Sequence, residues 1–249
     1  MIINPAKLPF VNIDLRRAMA LSLDRKAFID IITDGQGDIG VVMLPPPEGV
    51  WGMPQEVLQT LPGYDPDVEK NRTEARKIME KLGYGPNKHR ETKVSTRNIP
   101  SWRDPAVLLI SQLKEIYIDA ELDVVDTTQW YPRVMRKDFT VGLQVTEAGV
   151  DDPDQAFYES YVCGSERNYS GYCNPELDKL VDQQSMEADP GKRKKLVWEI
   201  ERRLAQDAVR PVIFYPRGGT CRQPWVKGLT IMVNSIYNGW RFEDVWLDK

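Results

Sequence analysis

The spacing of hydrophobic and polar residues predicts a chain that alternates between strands and helices. Residues 92–96 and 121–126 have the short runs typical of strands. Between them, residues 104–117 have a helical spacing that starts at Asp104 and Pro105. A strand, a crossover helix and a second strand form a right-handed parallel unit. The sequence therefore predicts an α/β fold.

The other periodic segments extend this pattern along the chain. Apolar residues between 14 and 32 predict either one helix or two helices joined at Asp24. Thr128 is placed to cap a helix over residues 129–137. Further helices are predicted at residues 68–82, 174–186 and 189–209, and further strands at residues 141–145, 210–215 and 226–233.

Residues 146–177 combine an acidic turn, several aromatic residues and two cysteines in one short span. Asp151 and Asp152 stand directly before Pro153, and this combination is typical of a helix start. Residues 155–161 are therefore predicted to form a short helix. The density of polar and aromatic residues indicates a recognition surface.

The predicted strands bring this surface close to an arginine. Residue 146 follows the strand over 141–145, and Arg97 follows the strand over 92–96. Open α/β sheets bind ligands at the carboxyl ends of their strands. We therefore expect Arg97 and the start of the recognition surface to face one cleft.

Composition excludes several classes of function. The chain has 249 residues, a net charge of -4 and 41% hydrophobic residues, so it can bury a core but offers no charge argument for nucleic acid. No apolar run approaches the length that crosses a bilayer. The first residues do not form a signal peptide, so the leader of an exported parent protein would be absent from this chain.

The cysteines, the histidine and one glycine motif give little support for a metal or a cofactor. Cys163 and Cys173 flank a loop that a disulfide could close, or they are two reduced thiols, and Cys221 is unpaired in either case. His89 is the only histidine and lies in a basic turn. Residues 35–40 spell G-x-G-x-x-G, but a predicted helix precedes them where a dinucleotide fingerprint needs a strand. We expect neither a metal nor a cofactor.

Several blocks of sequence, in the same order, match one protein family. The blocks are NIDLRRAMALSLDRKAFIDI, PPPEGVW, GYDPDVEKNRTEARKIMEKLGY, QLKEIYIDAELDVV, DDPDQAF, NYSGYCNPELDKLVD and VKGL. Together they resemble the bacterial extracellular solute-binding proteins of family 5, the dipeptide-, oligopeptide- and nickel-binding components of ABC importers. The resemblance covers essentially the whole chain.

The resemblance implies a fold, a location and partners. Family members are exported, bilobed and roughly twice as long, and they hold a solute between their lobes. It implies that residues 1–220 are the carboxyl-terminal ligand-binding lobe, with a mixed, mainly parallel sheet flanked by helices. Residues 221–249, with an aromatic tail, would return toward the missing amino-terminal lobe. The partners would be that lobe, a small solute and the permease subunits of an importer, and the location would be the periplasm.

The resemblance also implies a departure at the site. In peptide-binding members an Asp before the Asp-Pro turn holds the ligand's ammonium group, with a Trp a few residues earlier. Gly149 and Thr146 occupy these positions here. A buried ammonium without a counter-charge is costly, so the ligand is not an ordinary peptide unless Glu147 or Asp151 supplies the carboxylate.

Other residues complete the predicted ligand-binding set. Arg97 lies near the position where dipeptide-binding members place an arginine for the ligand carboxylate, although a surface salt bridge with Asp104 or Glu91 would also explain it. Trp130 and Tyr169 are either aromatic walls of the site or local core. The full set is Arg97, Trp130, Thr146, Glu147, Ala148, Gly149 and Tyr169.

Two other functions were weighed against solute binding. A hydrolase would use the carboxylates among residues 147–154, but Asp151 and Asp152 are better explained as helix caps, and no nucleophile with a nearby base can be assembled. A protein-interaction module would use the aromatic tail and the 163–173 loop. We expect no enzymatic activity, and we expect a concave cleft rather than a flat surface to distinguish solute binding from protein interaction.

Overall fold

The elements follow the predicted order, although several strands are shorter than predicted. The computed structural model describes residues 1–236, 238 and 241–248. The strands are β1 (Ile2–Ile3), β2 (Gly37–Ile39), β3 (Arg90–Arg97), β4 (Ile118–Val125), β5 (Val141–Gly142), β6 (Phe214–Pro216), β7 (Val226–Lys227) and β8 (Trp246–Leu247). The helices are α1 (Ile13–Leu21), α2 (Arg25–Ile32), α3 (Gln55–Leu58), α4 (Val68–Lys81), α5 (Pro100–Lys114), α6 (Thr127–Met135), α7 (Pro153–Ser160), α8 (Pro175–Met186) and α9 (Pro190–Asp207).

The main sheet has the strand order β1-β5-β3-β4. β3 and β4 pair in parallel along their full lengths, from Arg90 opposite Ile118 to Arg97 opposite Val125. β5 joins the other side of β3, also in parallel, and β1 is an antiparallel edge strand. The predicted α/β fold with a mixed, mainly parallel sheet is confirmed.

Helix α5 connects the two long strands and supplies much of the core. Its residues Ala106, Leu109 and Leu113 recur at intervals of three and four, and all three are fully buried. They belong to the same apolar cluster as Val94 of β3 and Ile118 of β4. Burying a leucine side chain completely contributes about 1.5–3 kcal/mol, so this face of α5 fixes the position of the strands.

A second apolar cluster lies among α7, α8 and α9. Phe157, Leu177, Val181, Val197 and Ile200 are each fully buried in it. Each of these helices starts with a polar cap followed by proline, as the sequence predicts for α7 and α8. This cluster holds α7 against the rest of the fold.

Two predicted helix starts are wrong by a few residues. α5 starts at Pro100 rather than at residue 104, because Pro100 takes the first helical position and Pro105 is tolerated inside the helix. α6 starts at Thr127, because Asp126 rather than Thr128 is the cap and accepts a hydrogen bond from the Thr128 amide. For α6 an earlier capping residue sets the start, whereas α5 has no side-chain cap and starts at the earlier of two prolines.

The predicted helix over residues 14–32 is two helices. Asp24 caps α2 by accepting a hydrogen bond from the Ala27 amide at 2.9 Å. The chain therefore turns at Asp24, which is the second of the two readings left open by the sequence.

The strands outside the central unit are shorter than predicted. β5 covers residues 141–142 instead of 141–145, β6 covers 214–216 instead of 210–215, and β7 covers 226–227 instead of 226–233. β2 was not predicted, and it pairs antiparallel with β6. A Cβ atom on Gly40 would lie 2.4 Å from the carbonyl carbon of Ile213, so this glycine of the G-x-G-x-x-G run allows two chain segments to pass closely.

Within the described ranges, no helix combines the length and the apolar character that a bilayer crossing requires.

Candidate functional site

A cleft of about 460 Å³ opens beside the segment that follows β5. Residues 143–148 and the adjoining face of α7 form one wall, and residues 210–216 form another. The start of α5 contributes Trp102, and the segment after β2 contributes Val42 and Met43. The cleft is thus at the carboxyl end of a strand of the parallel sheet, where the sequence analysis expects a ligand.

Residues 143–152, which we call the cleft segment, have no helix and no strand. Backbone bonds at Leu143 and Ala148 and several side chains hold them in place. Gln155 Oε1 accepts hydrogen bonds from the amides of Gly149 at 2.8 Å and Val150 at 3.3 Å. The Gly149 carbonyl accepts one from Ser235 Oγ at 2.6 Å. Loop position therefore depends on groups that lie outside the segment.

The two aspartates before α7 have structural partners. Asp151 accepts hydrogen bonds from Asn234 Nδ2 at 2.8 Å and from the Val50 amide at 3.3 Å. Asp152 caps α7 and forms a two-point ion pair with Arg193, with nitrogen–oxygen distances of 2.9 and 3.2 Å. Both residues were interpreted as helix caps; Asp152 is the cap of α7, whereas Asp151 instead connects the turn to Val50 and Asn234.

Three of the predicted site residues line the cleft: Thr146, Glu147 and Ala148. Thr146 Oγ1 accepts a hydrogen bond from Arg210 Nη2 at 2.5 Å. The Glu147 side chain is exposed. Gly149 is not among the lining residues, because its backbone turns toward Gln155, whose Oε1 would lie 3.3 Å from a Cβ at this position.

Arg97 lies behind the cleft wall rather than in it. Its guanidinium group stacks on Trp102, at 4.7 Å from the ring centroid, and on Tyr131, at 5.6 Å. Trp102 lines the cleft, so Arg97 reaches it only through this indole. Within the described residues Arg97 forms no salt bridge with Asp104 or with Glu91, and Asp104 pairs with Arg103 instead.

Trp130 and Tyr169 are local core and do not line the cleft. Trp130 is fully buried and packs edge-on against Trp102, with ring centroids 5.7 Å apart. Tyr169 packs against the same cluster and lies 6.2 Å from the Tyr131 ring. Helical periodicity explains the burial of Trp130, because Trp130 and Val134 are four residues apart and form the buried face of α6.

The sequence analysis did not single out Arg210, which lines the cleft, or Glu201, which holds the cleft residue Met43. Arg210 lines the cleft and contacts Thr146, but its position before Pro211 in a predicted strand gave no signal for a ligand. Glu201 is buried in α9, and its Oε1 accepts a hydrogen bond from the Met43 amide at 2.8 Å. Burial raises the pKa of Glu201 to about 8. Its place four residues after Val197 and three before Leu204 puts it on the apolar face, which helical spacing could have revealed.

The 163–173 loop follows α7 and is closed at both ends. A disulfide joins Cys163 and Cys173, whose Cα atoms are 4.5 Å apart, and Cys221 is exposed. Inside the loop, Asn168 Nδ2 donates hydrogen bonds to the carbonyls of Val162 and Tyr172. Over the described part of the chain, no group of three or more His, Cys, Asp or Glu side chains is arranged to hold a metal ion.

Curated relatives match nearly the whole chain. The probable D,D-dipeptide-binding periplasmic protein DdpA of Escherichia coli is 26% identical over 241 residues, which are 95% of this chain and 44% of the relative. The periplasmic oligopeptide-binding protein OppA of Salmonella typhimurium is 23% identical over 231 residues, or 92% of this chain and 41% of the relative. The chain thus spans less than half the length of these relatives.

Solved structures show the same fold. The Haemophilus influenzae OppA complex with RPPGFSPFR aligns with a TM-score of 0.80 at 22% identity, over all of this chain and 48% of that one. OppA of Burkholderia pseudomallei aligns with a TM-score of 0.81 at 19% identity, again over all of this chain and 48% of that one. At these identities the likeness establishes the architecture.

A family model identifies the chain more directly. The model described as bacterial extracellular solute-binding proteins, family 5 Middle, matches residues 1–168. The match begins at β1 and ends inside the 163–173 loop, so it includes the main sheet, the cleft segment and α7. The resemblance found in the sequence is confirmed, and the chain belongs to the bacterial extracellular solute-binding proteins of family 5.

Proposed function

We propose that the chain is one lobe of a bilobed solute-binding protein that captures a small solute in the periplasm and delivers it to an ABC import permease. Residues 1–220 are the carboxyl-terminal ligand-binding lobe, and residues 221–249 return toward the amino-terminal lobe. The observation that carries the proposal is the open cleft beside the Thr146–Ala148 segment, in a chain of this family. The relatives' printed names, which describe dipeptide and oligopeptide binding, support the same role.

The cleft residues favour a solute other than an ordinary peptide. Gly149 takes the place of the amine-binding aspartate, and Asp151 is engaged by Asn234 and the Val50 amide. Glu147 is the carboxylate that remains available in the cleft. Because Glu147 is exposed, its attraction for a ligand ammonium group is weaker than that of a buried carboxylate.

Binding rather than catalysis fits the carboxylates near the cleft. Asp152 is paired with Arg193, and Asp154 accepts hydrogen bonds from Gln184 and Ser185. General acid–base chemistry needs carboxyl groups that reach the substrate. The members of this family are solute-binding proteins, which supports the same conclusion. The concave, partly polar cleft also favours a small solute over a flat protein-interaction surface.

The proposal predicts a large difference in solute affinity between the single lobe and the protein with both lobes. Closure of two lobes supplies contacts from both sides, so the 249-residue chain alone should bind any solute weakly. Isothermal titration calorimetry of this chain should find no dissociation constant below the micromolar range. A sub-micromolar dissociation constant for this chain alone would contradict the bilobed arrangement.

The matching experiment uses the longer protein with both lobes. Thermal-shift measurements against peptides, opines, sugars, organic acids and metal chelates should identify at least one solute that raises the melting temperature. A solute present at a hundred times its dissociation constant stabilises the folded state by about 2.7 kcal/mol. Lack of any shift across the panel would argue against solute capture.

A further inference from the structure

Arg210 is a cationic side chain in the cleft, and it has no acidic partner among the residues that the structure describes. Its Nη2 donates a hydrogen bond to Thr146 Oγ1 at 2.5 Å, and its guanidinium group lies 5.7 Å from the centre of the Tyr161 ring. Among the residues that the structure describes, no carboxylate forms an ion pair with it. A hydroxyl and an aromatic face leave its positive charge uncompensated.

The other arginines around the site show the contrast. Arg193 pairs with Asp152 and Asp154, and Arg167 pairs with Glu159. Asp152 and Glu159 line the cleft, so these pairs occupy two of its carboxylates. Each of these arginines has a structural counter-ion, whereas Arg210 has none of this kind.

The buried acid Glu201 does not neutralise Arg210 either. Glu201 lines a small cavity of about 30 Å³ together with Arg210. Burial raises the pKa of Glu201 to about 8, so this carboxyl group is mostly protonated at neutral pH. The positive charge of Arg210 therefore persists under the conditions in which a solute would bind.

The guanidinium group of Arg210 keeps access to solvent. In the part of the chain that the structure describes, no side-chain nitrogen of Arg210 is both buried and unpartnered, whereas Arg97 has a buried Nε without a partner. The N–H groups of Arg210 that Thr146 does not use are therefore accessible to solvent, and Arg210 is one of the residues that line the cleft. A guanidinium group presents parallel donors that match the two oxygens of a carboxylate or phosphate.

We propose that Arg210 forms an anion-binding subsite, which receives a carboxylate or phosphate group of the captured solute. The inference rests on the proposed function and narrows it to solutes that carry such a group. Thr146 orients the guanidinium group through its hydroxyl, and Tyr161 forms the aromatic side of the subsite. The cleft also holds the exposed carboxylate of Glu147, so the anionic group of the solute is expected at Arg210 and not elsewhere along the cleft segment.

The subsite can be tested directly on the 249-residue chain by NMR. The side-chain Nε–H signals of the arginines are followed while succinate or inorganic phosphate is added at constant ionic strength, and succinamide serves as the uncharged probe. The Arg210 signal, assigned from its loss in Arg210→Lys, should shift saturably with at least one of the two anions but not with succinamide. The relative response to succinate and phosphate identifies the preferred group.

Substitutions then distinguish anion binding at a specific subsite from a general electrostatic attraction of anions to the chain. Arg210→Gln should weaken anion binding by about ten- to a hundred-fold, the range expected when charge-assisted hydrogen bonds are lost. Arg210→Lys should recover part of this affinity, because it keeps the charge without the fork. Arg217→Gln is the matched control, since Arg217 lies outside the cleft and is paired with Asp38 and Glu48. Circular dichroism of each variant checks that it is folded.

The outcomes distinguish the subsite from the proposed function. If the anions leave the Arg210 signal unchanged, or bind Arg210→Gln as well as the parent chain, the subsite does not exist. If the two-lobed protein captures a solute whose affinity is the same in Arg210→Gln, solute capture stands and the role of Arg210 is wrong. If Arg210 binds anions but the two-lobed protein responds to no solute, the proposed function fails and the subsite stands.

Discussion

The β3–α5–β4 unit and the cleft segment are held in place by different kinds of interaction. The unit combines a parallel ladder of eight residue pairs with the fully buried leucines of α5. The cleft segment has no ladder partner beyond residue 143, whose amide donates to the Ser95 carbonyl. Apolar packing thus fixes the β3–α5–β4 unit, which we call the frame, whereas individual hydrogen bonds fix the cleft segment. A binding surface built in this way can adjust to a ligand without disturbing the frame.

Hydrogen bonds from side chains hold the cleft walls. Gln155 of α7 holds the Gly149 amide, Asp151 binds Asn234, and Glu201 of α9 holds Met43, which is 158 positions earlier in the chain. We call Gln155, Asp151 and Glu201 the clamp residues. Each clamp holds a segment that lies outside the helices and strands, so its loss should affect the site more than the fold.

The largest effect is expected from a core substitution in the frame. Leu109→Ala removes a fully buried side chain from α5 and should lower the free energy of unfolding by about 3–5 kcal/mol, because it leaves a cavity between α5 and the sheet. Urea denaturation of the variant measures this loss.

Val107→Ala provides the matched control on the same helix. Val107 is 53% exposed, so its truncation should change stability by less than about 0.5 kcal/mol. Equal losses for the two variants would show that α5 does not pack on the sheet as described. The conclusion that apolar packing holds the frame, whereas hydrogen bonds hold the cleft segment, would then be wrong.

A clamp substitution should change how stability depends on pH. The pKa of Glu201 is raised by burial from its ordinary value of 4.5 to about 8. Between these values the unfolded chain releases a proton that the folded chain retains, so rising pH favours unfolding and the loss is complete above pH 8. Glu201→Gln replaces the carboxyl group by an amide, which does not titrate in this pH range. The variant should match the parent chain near pH 5 and exceed its stability by about 3–4 kcal/mol at pH 8.

Urea denaturation of both chains at several pH values tests this expectation. Glu199→Gln is the control on the same helix, because Arg203 and Arg202 lower the pKa of Glu199. A carboxyl group whose pKa is lowered in the folded chain loses its stabilising contribution only as the pH falls through that pKa, which lies below the tested range of pH 5 to pH 8. Within this range the free energy of unfolding of Glu199→Gln should therefore differ from that of the parent chain by a constant amount. A Glu201→Gln difference that does not grow between pH 5 and pH 8 would mean that Glu201 is ionised in the fold.

The frame was predictable from the sequence because its causes are local. The short runs typical of strands in β3 and β4 and the spacing of Ala106, Leu109 and Leu113 each depend on neighbours within one element. Capping by Asp152 and Asn174, followed by proline, gave the starts of α7 and α8 for the same reason. The start of α6 was wrong because two capping residues lie close together, and the start of α5 was wrong because two prolines do.

The site was only partly predictable because its causes are distant. Thr146, Glu147 and Ala148 follow a strand, and the rule for parallel sheets placed them correctly at the cleft. Nothing near Arg210 in sequence indicates that it meets Thr146, from which it is 64 positions away. Arg97 was expected at the cleft because the end of its strand was located correctly, but the direction of its side chain is set by Trp102 and Tyr131.

The smallest effect on stability is expected from Gln155→Ala, and it most directly tests how the cleft is held. This substitution removes the acceptor for the Gly149 and Val150 amides, which should lower the free energy of unfolding by about 1 kcal/mol. The same amides should exchange with deuterium faster than in the parent chain, while amides in β3 keep their protection. Hydrogen exchange followed by NMR resolves both sets. Gln183→Ala, at an exposed position of α8, makes the same change in a helix without touching the cleft and should leave exchange at Gly149 unaltered. If Gln155→Ala also leaves that exchange unaltered, the cleft segment is held by its contacts with Ser235 and Ile236 instead.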